Sequence, residues 1–310
     1  MTALRKIGFI GLGNMGAPMA THVARAGFDL TVYDANPQAS ERFVAQCPVR
    51  VAANPSDLGR GVDAVITMLP DDKVVRDVML GPHHDGGVCS TLAKGGIVID
   101  MSTSDPTGTR ALAEALAPRG ITVIDAPVMG GVVFARDGTL DIMAAGDAAA
   151  IERVTPLLKS MGRSVIVCGA VGSAHALKAL GNYINACAMI NVVEAMTIGR
   201  KFGLDAKFMA DALLPMINGR QHPLEKKVIP QILTRQFSTG MAMGFITKDL
   251  KIAVDTAQAL GAHAPLAECT HALWAEAVET FGAQRDQTEV AKLWEQKTGV
   301  LLAPGAKEPS

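Results

Sequence analysis

Over its first half the chain alternates short, almost continuously apolar runs with longer segments that mix apolar and polar positions. The runs are "KIGFI" (6–10), "DLTVYD" (29–34), "DAVITML" (63–69), "GIVIDM" (96–101), "ITVIDA" (121–126) and "TLDIMAA" (139–145). Strands covered on both faces by helices read this way, whereas a half-exposed strand would alternate. The segments between them have helix ends. Asp105-Pro106 places an N-cap before a proline at the first helical position, and Gly120 closes the segment. Alternating β and α elements predict a doubly wound parallel sheet.

After Gly172 the strand pattern stops. Helices are expected over 173–202, 205–217, 222–233, 247–260, 264–281 and 287–298, the last opened by Asp286 and Glu289 at capping-box spacing and closed by Gly299. The expected organisation is a sheet domain over 1–168, an all-α domain over 169–300 for substrate binding and oligomerisation, and a disordered tail over 301–310. The helix 173–202 is long, roughly 45 Å at 1.5 Å per residue. It is expected to lie between the domains and serve both cores.

Its opening, "SAHALKALGNYINACAMINVVEA", is mostly Ala, Leu, Ile, Val, Met and Cys, yet Lys178, Asn182 and Asn185 stack along one narrow stripe. Two readings of Lys178 stand. Its stem could pack while its head reaches water. Alternatively, a lysine partly desolvated near the crevice of the sheet would have a lowered pKa and exchange protons near neutrality. Glycines 169, 172 and 181 and the neighbouring Asn182 favour the second. His175, one turn earlier, is a competing proton carrier, with a packed or surface histidine the plainer reading.

Composition narrows the partners. The 310 residues carry 29 Lys+Arg against 30 Asp+Glu, for a net charge of −1. Such a chain has no field for nucleic acid or an anionic membrane, so small molecules and other subunits are expected. Five scattered cysteines predict reduced thiols in a cytoplasmic protein, and no metal site is expected. The polar residues of the long helix argue against a membrane span.

The segment "IGFIGLGNMGAPMATHVARAGFDLTVYD" sets Gly11, Gly13 and Gly16 between a strand and a helix, with Asp34 ending the next strand. In that context the glycines form a dinucleotide-binding loop of the Rossmann type, with pyrophosphate at the helix N-terminus. A tight turn without a ligand is the alternative. Asp34 suits a ribose diol and repels a 2′-phosphate, and "DANP" supplies no arginine, so NAD is expected over NADP.

Four segments together resemble the β-hydroxyacid dehydrogenase family, that of 3-hydroxyisobutyrate dehydrogenase and tartronate semialdehyde reductase. They are "FIGLGNMGAPMA" (9–20), "DAPVMGG" (125–131) followed by "DGTLDIMAAG", "GSAHALKALGN" (172–182) and "KDL" (248–250). The resemblance implies hydride transfer between NAD and a short β-hydroxyacid or its semialdehyde, in a homo-dimer or homo-tetramer. It implies Lys178 as general acid/base with Asn182 beside it. Thr103, Met129, Gly130 and Gly131 would meet the substrate. Gly11, Leu12, Gly13, Asn14, Met15, Gly16, Asp34, Leu69, Pro70 and Thr103 would meet the cofactor, with Lys248 closing over it from the helical domain.

Two departures stand out. The family usually has serine where Met129 stands and asparagine where Gly181 stands. Three readings of Met129 stand: it turns into the core, or the Gly130 and Gly131 backbone suffices alone to hold the acid, or it narrows the pocket toward a substrate with an apolar surface near its acid group or with a different anionic group. Arg220 is a candidate replacement donor, against a plain surface arginine. Imine reduction on the same scaffold is a competing reading, although those relatives usually lack the lysine. A lyase using Lys178 as a Schiff base, or a non-catalytic NAD-binding module, is another.

Overall fold

The computed structural model describes residues 4–81, 86–201, 203–216, 223–259 and 265–304. Arg220, the tail beyond 304 and residues 202, 217, 222, 260 and 264 at expected helix ends lie outside the described residues. The chain divides into two compact units, Met1–Lys178 and Ala179–Ser310.

The first unit contains β1 (Lys6–Ile10), α1 (Gly16–Arg25), β2 (Asp29–Tyr33), α2 (Pro37–Gln46), β3 (Arg50–Val51), α3 (Pro55–Gly59), β4 (Ala64–Thr67) and α4 (Asp72–Leu80). It continues with β5 (Ile97–Asp100), α5 (Pro106–Leu116), β6 (Thr122–Asp125), β7 (Val128–Met129), α6 (Gly131–Asp137), β8 (Leu140–Ala144), α7 (Ala148–Lys159) and β9 (Gly162–Val167). Six strands form one parallel sheet in the order β3-β2-β1-β4-β5-β6. Successive residues of a strand serve different cores: Ile97 and Ile99 pack on one face, Val98 on the other. That division explains why the runs are apolar without alternation.

The run at 139–145 is a strand, but it does not extend the parallel sheet. β8 pairs antiparallel with β7 and parallel with β9 in a separate three-stranded sheet, joined to β6 by an Asp125–Ala145 bridge. β3, β7 and β9 were not expected. The first two are only two residues long, too short to show any period. β9 opens with Gly-Arg-Ser and leaves Ile166 and Val167 exposed. Helix starts follow the capping rule: Asn36, Asn54, Asp71, Asp105 and Asp147 each accept a backbone N–H of the first turn.

α8 (Ser173–Lys201) spans both units, and its first residues, through Lys178, belong with the sheet. Of its apolar side chains, Leu177, Leu180 and Ile184 are exposed along one side. The second unit continues with α9 (Ala206–Leu213), a π-helix over Leu224–Ile232, α10 (Met243–Ala259), α11 (Pro265–Phe281) and α12 (Ala291–Thr298). α10 starts four residues before the expected 247, and a 3-10 turn, Gln287–Val290, precedes α12. Asp286 caps that turn at Thr288, whereas Glu289 does not reach back to complete a capping box; its carboxylate is held by Arg285 and Lys292. Trp274, Met189, Val193, Val228 and Leu250 build the core. Leu302 joins it and donates its N–H to Glu295 at 2.8 Å, so the segment expected to be disordered begins as packed chain.

Among the described residues no helix is long and apolar enough to cross a membrane. Nor does any group of three or more His, Cys, Asp or Glu among them suit a metal ion.

Candidate active site

β1 delivers the chain into the glycine loop, where each glycine has a different reason. Gly11 has φ +96°, and a Cβ there would overlap the Met68 carbonyl oxygen. A Cβ on Gly16 would overlap the Gly11 carbonyl oxygen, so the start of α1 lies directly on the turn. Gly13 has nothing within 4 Å of its missing Cβ, which is the open cradle a pyrophosphate needs. Gly13 and Asn14 are exposed and Met15 is half-buried. No side chain caps α1, so the positive end of its dipole faces that opening.

Asp34 lies one residue past β2. Its Oδ2 accepts the Leu12 N–H at 2.7 Å and its Oδ1 accepts the Asn36 N–H at 2.8 Å. The carboxylate therefore fixes the glycine loop to the strand end, and each oxygen keeps a lone pair for a diol. The Leu12 N–H is spent on this clamp.

A buried polar network ties the ends of β4, β5 and β6 together. Asp100 accepts from Thr67 Oγ1 at 2.9 Å, Ser102 N at 3.0 Å and Ser104 Oγ at 2.7 Å. Ser102 Oγ in turn accepts the Leu69 N–H at 2.9 Å. Thr103 is thus half-buried between two buried, anchored serines, and Leu69-Pro70 is bound to the same loop. Asp125 accepts the Gly172 N–H at 2.7 Å and the His175 N–H at 2.9 Å, capping α8 from the end of β6. His175 is buried, with Nδ1 2.8 Å from Thr109 Oγ1 and Nε2 3.1 Å from the Ser102 carbonyl oxygen. The parallel sheet's C-terminal edge therefore gathers Leu69, Pro70, Thr103 and the turn carrying Lys178, which is half-buried. That edge is where open α/β sheets bind ligands.

Met129 does not turn into the core; it is 39% exposed at the end of β7. Gly130 and Gly131 follow with φ of +123° and +72°, and a Cβ on Gly130 would press on the Phe134 ring. In the second unit Asn182 donates through Nδ2 to Asp249 Oδ2 at 2.6 Å, and Lys248 Nζ lies 3.2 Å from Asp249 Oδ1. Asn185 is exposed. Asp249 was missed by sequence reasoning: among Lys248, Lys251 and Asp255 it reads as one charge of a mixed helical stretch, and its partner Asn182 lies 67 positions away.

The glycine loop, its acidic clamp and the anchored strand ends have the form of a Rossmann-type dinucleotide-binding protein. The family described as NAD binding domain of 6-phosphogluconate dehydrogenase matches residues 6–169. That described as NAD-binding of NADP-dependent 3-hydroxyisobutyrate dehydrogenase matches residues 172–294. The chain is 34% identical to the NAD-dependent L-serine dehydrogenase of Pseudomonas aeruginosa, over 96% of this chain and 100% of that protein. It is 33% identical to the 2-(hydroxymethyl)glutarate dehydrogenase of Eubacterium barkeri, over 97% and 98% respectively. The structure of Mycobacterium tuberculosis 3-hydroxyisobutyrate dehydrogenase with L-serine matches with a TM-score of 0.83 at 30% identity, over 94% of this chain and 99% of that one. The chain belongs to the β-hydroxyacid dehydrogenase family and is an oxidoreductase acting on the hydroxyl group of a hydroxyacid, a reading that holds over imine reduction.

Proposed function

We propose that this enzyme oxidises a short carboxylic acid bearing a hydroxymethyl group next to the carboxylate, or reduces the matching semialdehyde, using NAD. The three relatives above are named for L-serine, 2-(hydroxymethyl)glutarate and 3-hydroxyisobutyrate, which share that unit. The observation that carries the mechanism is Lys178, half-buried on a helix turn clipped to the strand ends.

Bound NAD supplies the hydride acceptor at its nicotinamide ring. Lys178, as the neutral amine, takes the hydroxyl proton during oxidation and returns it during reduction. Asn182, one turn further on, steadies the reacting oxygen. Thr103 orients the substrate and the nicotinamide. The Gly130 and Gly131 N–H groups hold the carboxylate, and the exposed thioether of Met129, which cannot donate, offers it an apolar neighbour. Gly13, Asn14, Met15 and Gly16 would hold the pyrophosphate, with Gly11 and Leu12 shaping the turn beneath it through bonds to Tyr33 and Asp34. Asp34 would hold the ribose diol, Leu69 and Pro70 the dinucleotide's length, and Lys248 would contribute a cation to the cofactor. Asp34, with the exposed Ala35 beside it, supports NAD over NADP. The exposed Leu177, Leu180 and Ile184 support a homo-dimer or homo-tetramer. Five unpaired cysteines support a reducing, cytoplasmic setting.

The test is a panel of short β-hydroxyacids with NAD and NADP, followed by absorbance of the reduced nicotinamide. On the best substrate, Lys178→Ala should lower kcat by about 10²–10⁴-fold while NAD affinity is retained. Wild-type turnover in that variant would remove Lys178 from the chemistry.

A further inference from the structure

We infer that His175 is a positioning residue that sets Lys178 in register with the Thr103 loop. The inference rests on the reading of Lys178 as the acid/base group.

Both ring nitrogens are committed inside the protein. The Ser102 carbonyl oxygen can only accept, so Nε2 carries a proton and donates across 3.1 Å. In the neutral ring Nδ1 then accepts from the Thr109 hydroxyl at 2.8 Å. Thr109 Oγ1 also lies 3.0 Å from the Asp105 carbonyl oxygen, and its single proton serves one acceptor at a time. Asp100 Oδ2, 3.8 Å from Nε2, is the charged group facing the ring, and Asp125 holds the residue's own N–H.

One side chain therefore links α5, the loop after β5 and the first turn of α8. Residue 102 immediately precedes Thr103. Lys178 follows His175 by three positions, a rise of about 4.5 Å along neighbouring faces of the helix. An apolar residue at 175 would fill the space and keep the Asp125 grip on the backbone of the first turn. It would drop the side-chain tie to the Thr103 loop and to α5, and packing alone specifies position less sharply than a satisfied polar network. Misplacement by about 1 Å can cost on the order of 100-fold in rate.

The experiment compares His175→Leu, His175→Gln and Thr109→Val with Lys178→Ala, measuring kcat, KM for the hydroxyacid, NAD affinity by calorimetry, and the pH–rate profile. His175→Leu should lower kcat by about 10–100-fold. KM and NAD affinity should move far less, and the pH limb that Lys178→Ala abolishes should shift. Glutamine can donate to Ser102 and accept from Thr109, so His175→Gln should recover most of the rate. Thr109→Val should fall between wild type and His175→Leu. A folded His175→Leu with wild-type kcat, or a glutamine variant as impaired as the leucine one, overturns the inference. If His175→Leu does not fold, unchanged kcat and pH profile in Thr109→Val overturn it instead. Full turnover in Lys178→Ala defeats the underlying acid/base reading. An inactive Lys178→Ala beside a normal His175→Leu defeats the positioning role alone.

Discussion

Asp125 in the sheet unit and Asp249 in the helical unit are both buried carboxylates, and their partners differ in kind. Asp125 accepts two backbone N–H groups, those of Gly172 and His175. Asp249 is met by two side chains, Asn182 and Lys248. A carboxylate bound by backbone is part of the chain trace, and removing it orphans donors that have no other place to go. One bound by side chains fixes only those side chains, which are half-buried and can turn to water. The first arrangement serves the fold, the second the orientation of residues proposed for chemistry.

The sharpest way to break this contrast is to replace both acids. Asp125→Ala orphans two buried N–H groups at about 1–3 kcal/mol each, a fall in Tm on the order of 10 °C. Asp249→Ala should lose about 10–100-fold in kcat through Asn182, with a much smaller fall in Tm. Thermal scans and steady-state kinetics on the pair decide it, and equal losses of Tm would erase the distinction.

A second, smaller effect tests another backbone-bound acid. Asp34→Asn with Ala35→Arg removes the charge that repels a 2′-phosphate and adds a partner for it, so preference should swing toward NADP. Both Asp34 oxygens accept N–H groups, however, and an amide has only one acceptor. The variant should therefore bind NAD about 10-fold or more weakly, the loss expected for one hydrogen bond to a charged group. Dissociation constants for both cofactors check this; undiminished NAD affinity would mean that Asp34 does not hold the loop.

The smallest effect is in the helical unit, where burial pushes the Lys227 ammonium down to about 8 against the pull of Asp286. The unfolded lysine keeps its ordinary value of 10.5. Between those values the unfolded chain holds a proton that the folded chain lacks, so this group's contribution to stability rises with pH across that window. Below pH 8 the ammonium is charged in both states and its cost is fully present. Lys227→Met should therefore raise Tm by a few degrees at pH 7, with the gain shrinking toward pH 10.5. A gain independent of pH would point to packing rather than charge.

What the sequence made legible follows the same division. Long apolar runs announced the central strands, because two-sided burial leaves a mark at every position. The two-residue strands β3 and β7 left none, since they are defined by pairing rather than by side chains. Lys178 stood out as a cation among apolar neighbours. His175, Asp100 and Asp249 take their roles from partners distant in sequence: Asn182 and Asp249 are 67 positions apart, and His175 and Ser102 are 73. One clue was available. "IVID" and "TVID" both end in aspartate, and Asp100 and Asp125 stand opposite each other in the β5–β6 register. A repeated acid closing adjacent apolar strands is a sign of a buried polar layer.

The clip between Asp125 and the start of α8 also governs how the chain can be dissected. A fragment cut at residue 168, where the strand pattern ends, would lose the Gly172 and His175 N–H groups and the imidazole bound to Ser102. Asp125 would face water or collapse onto apolar neighbours, and Thr109 and Ser102 would each lose a partner. Ending the fragment after Lys178 keeps every one of these bonds, at the price of exposing a short helical stub. The natural cutting point for expressing the nucleotide-binding half alone therefore lies inside a helix rather than in the loop before it.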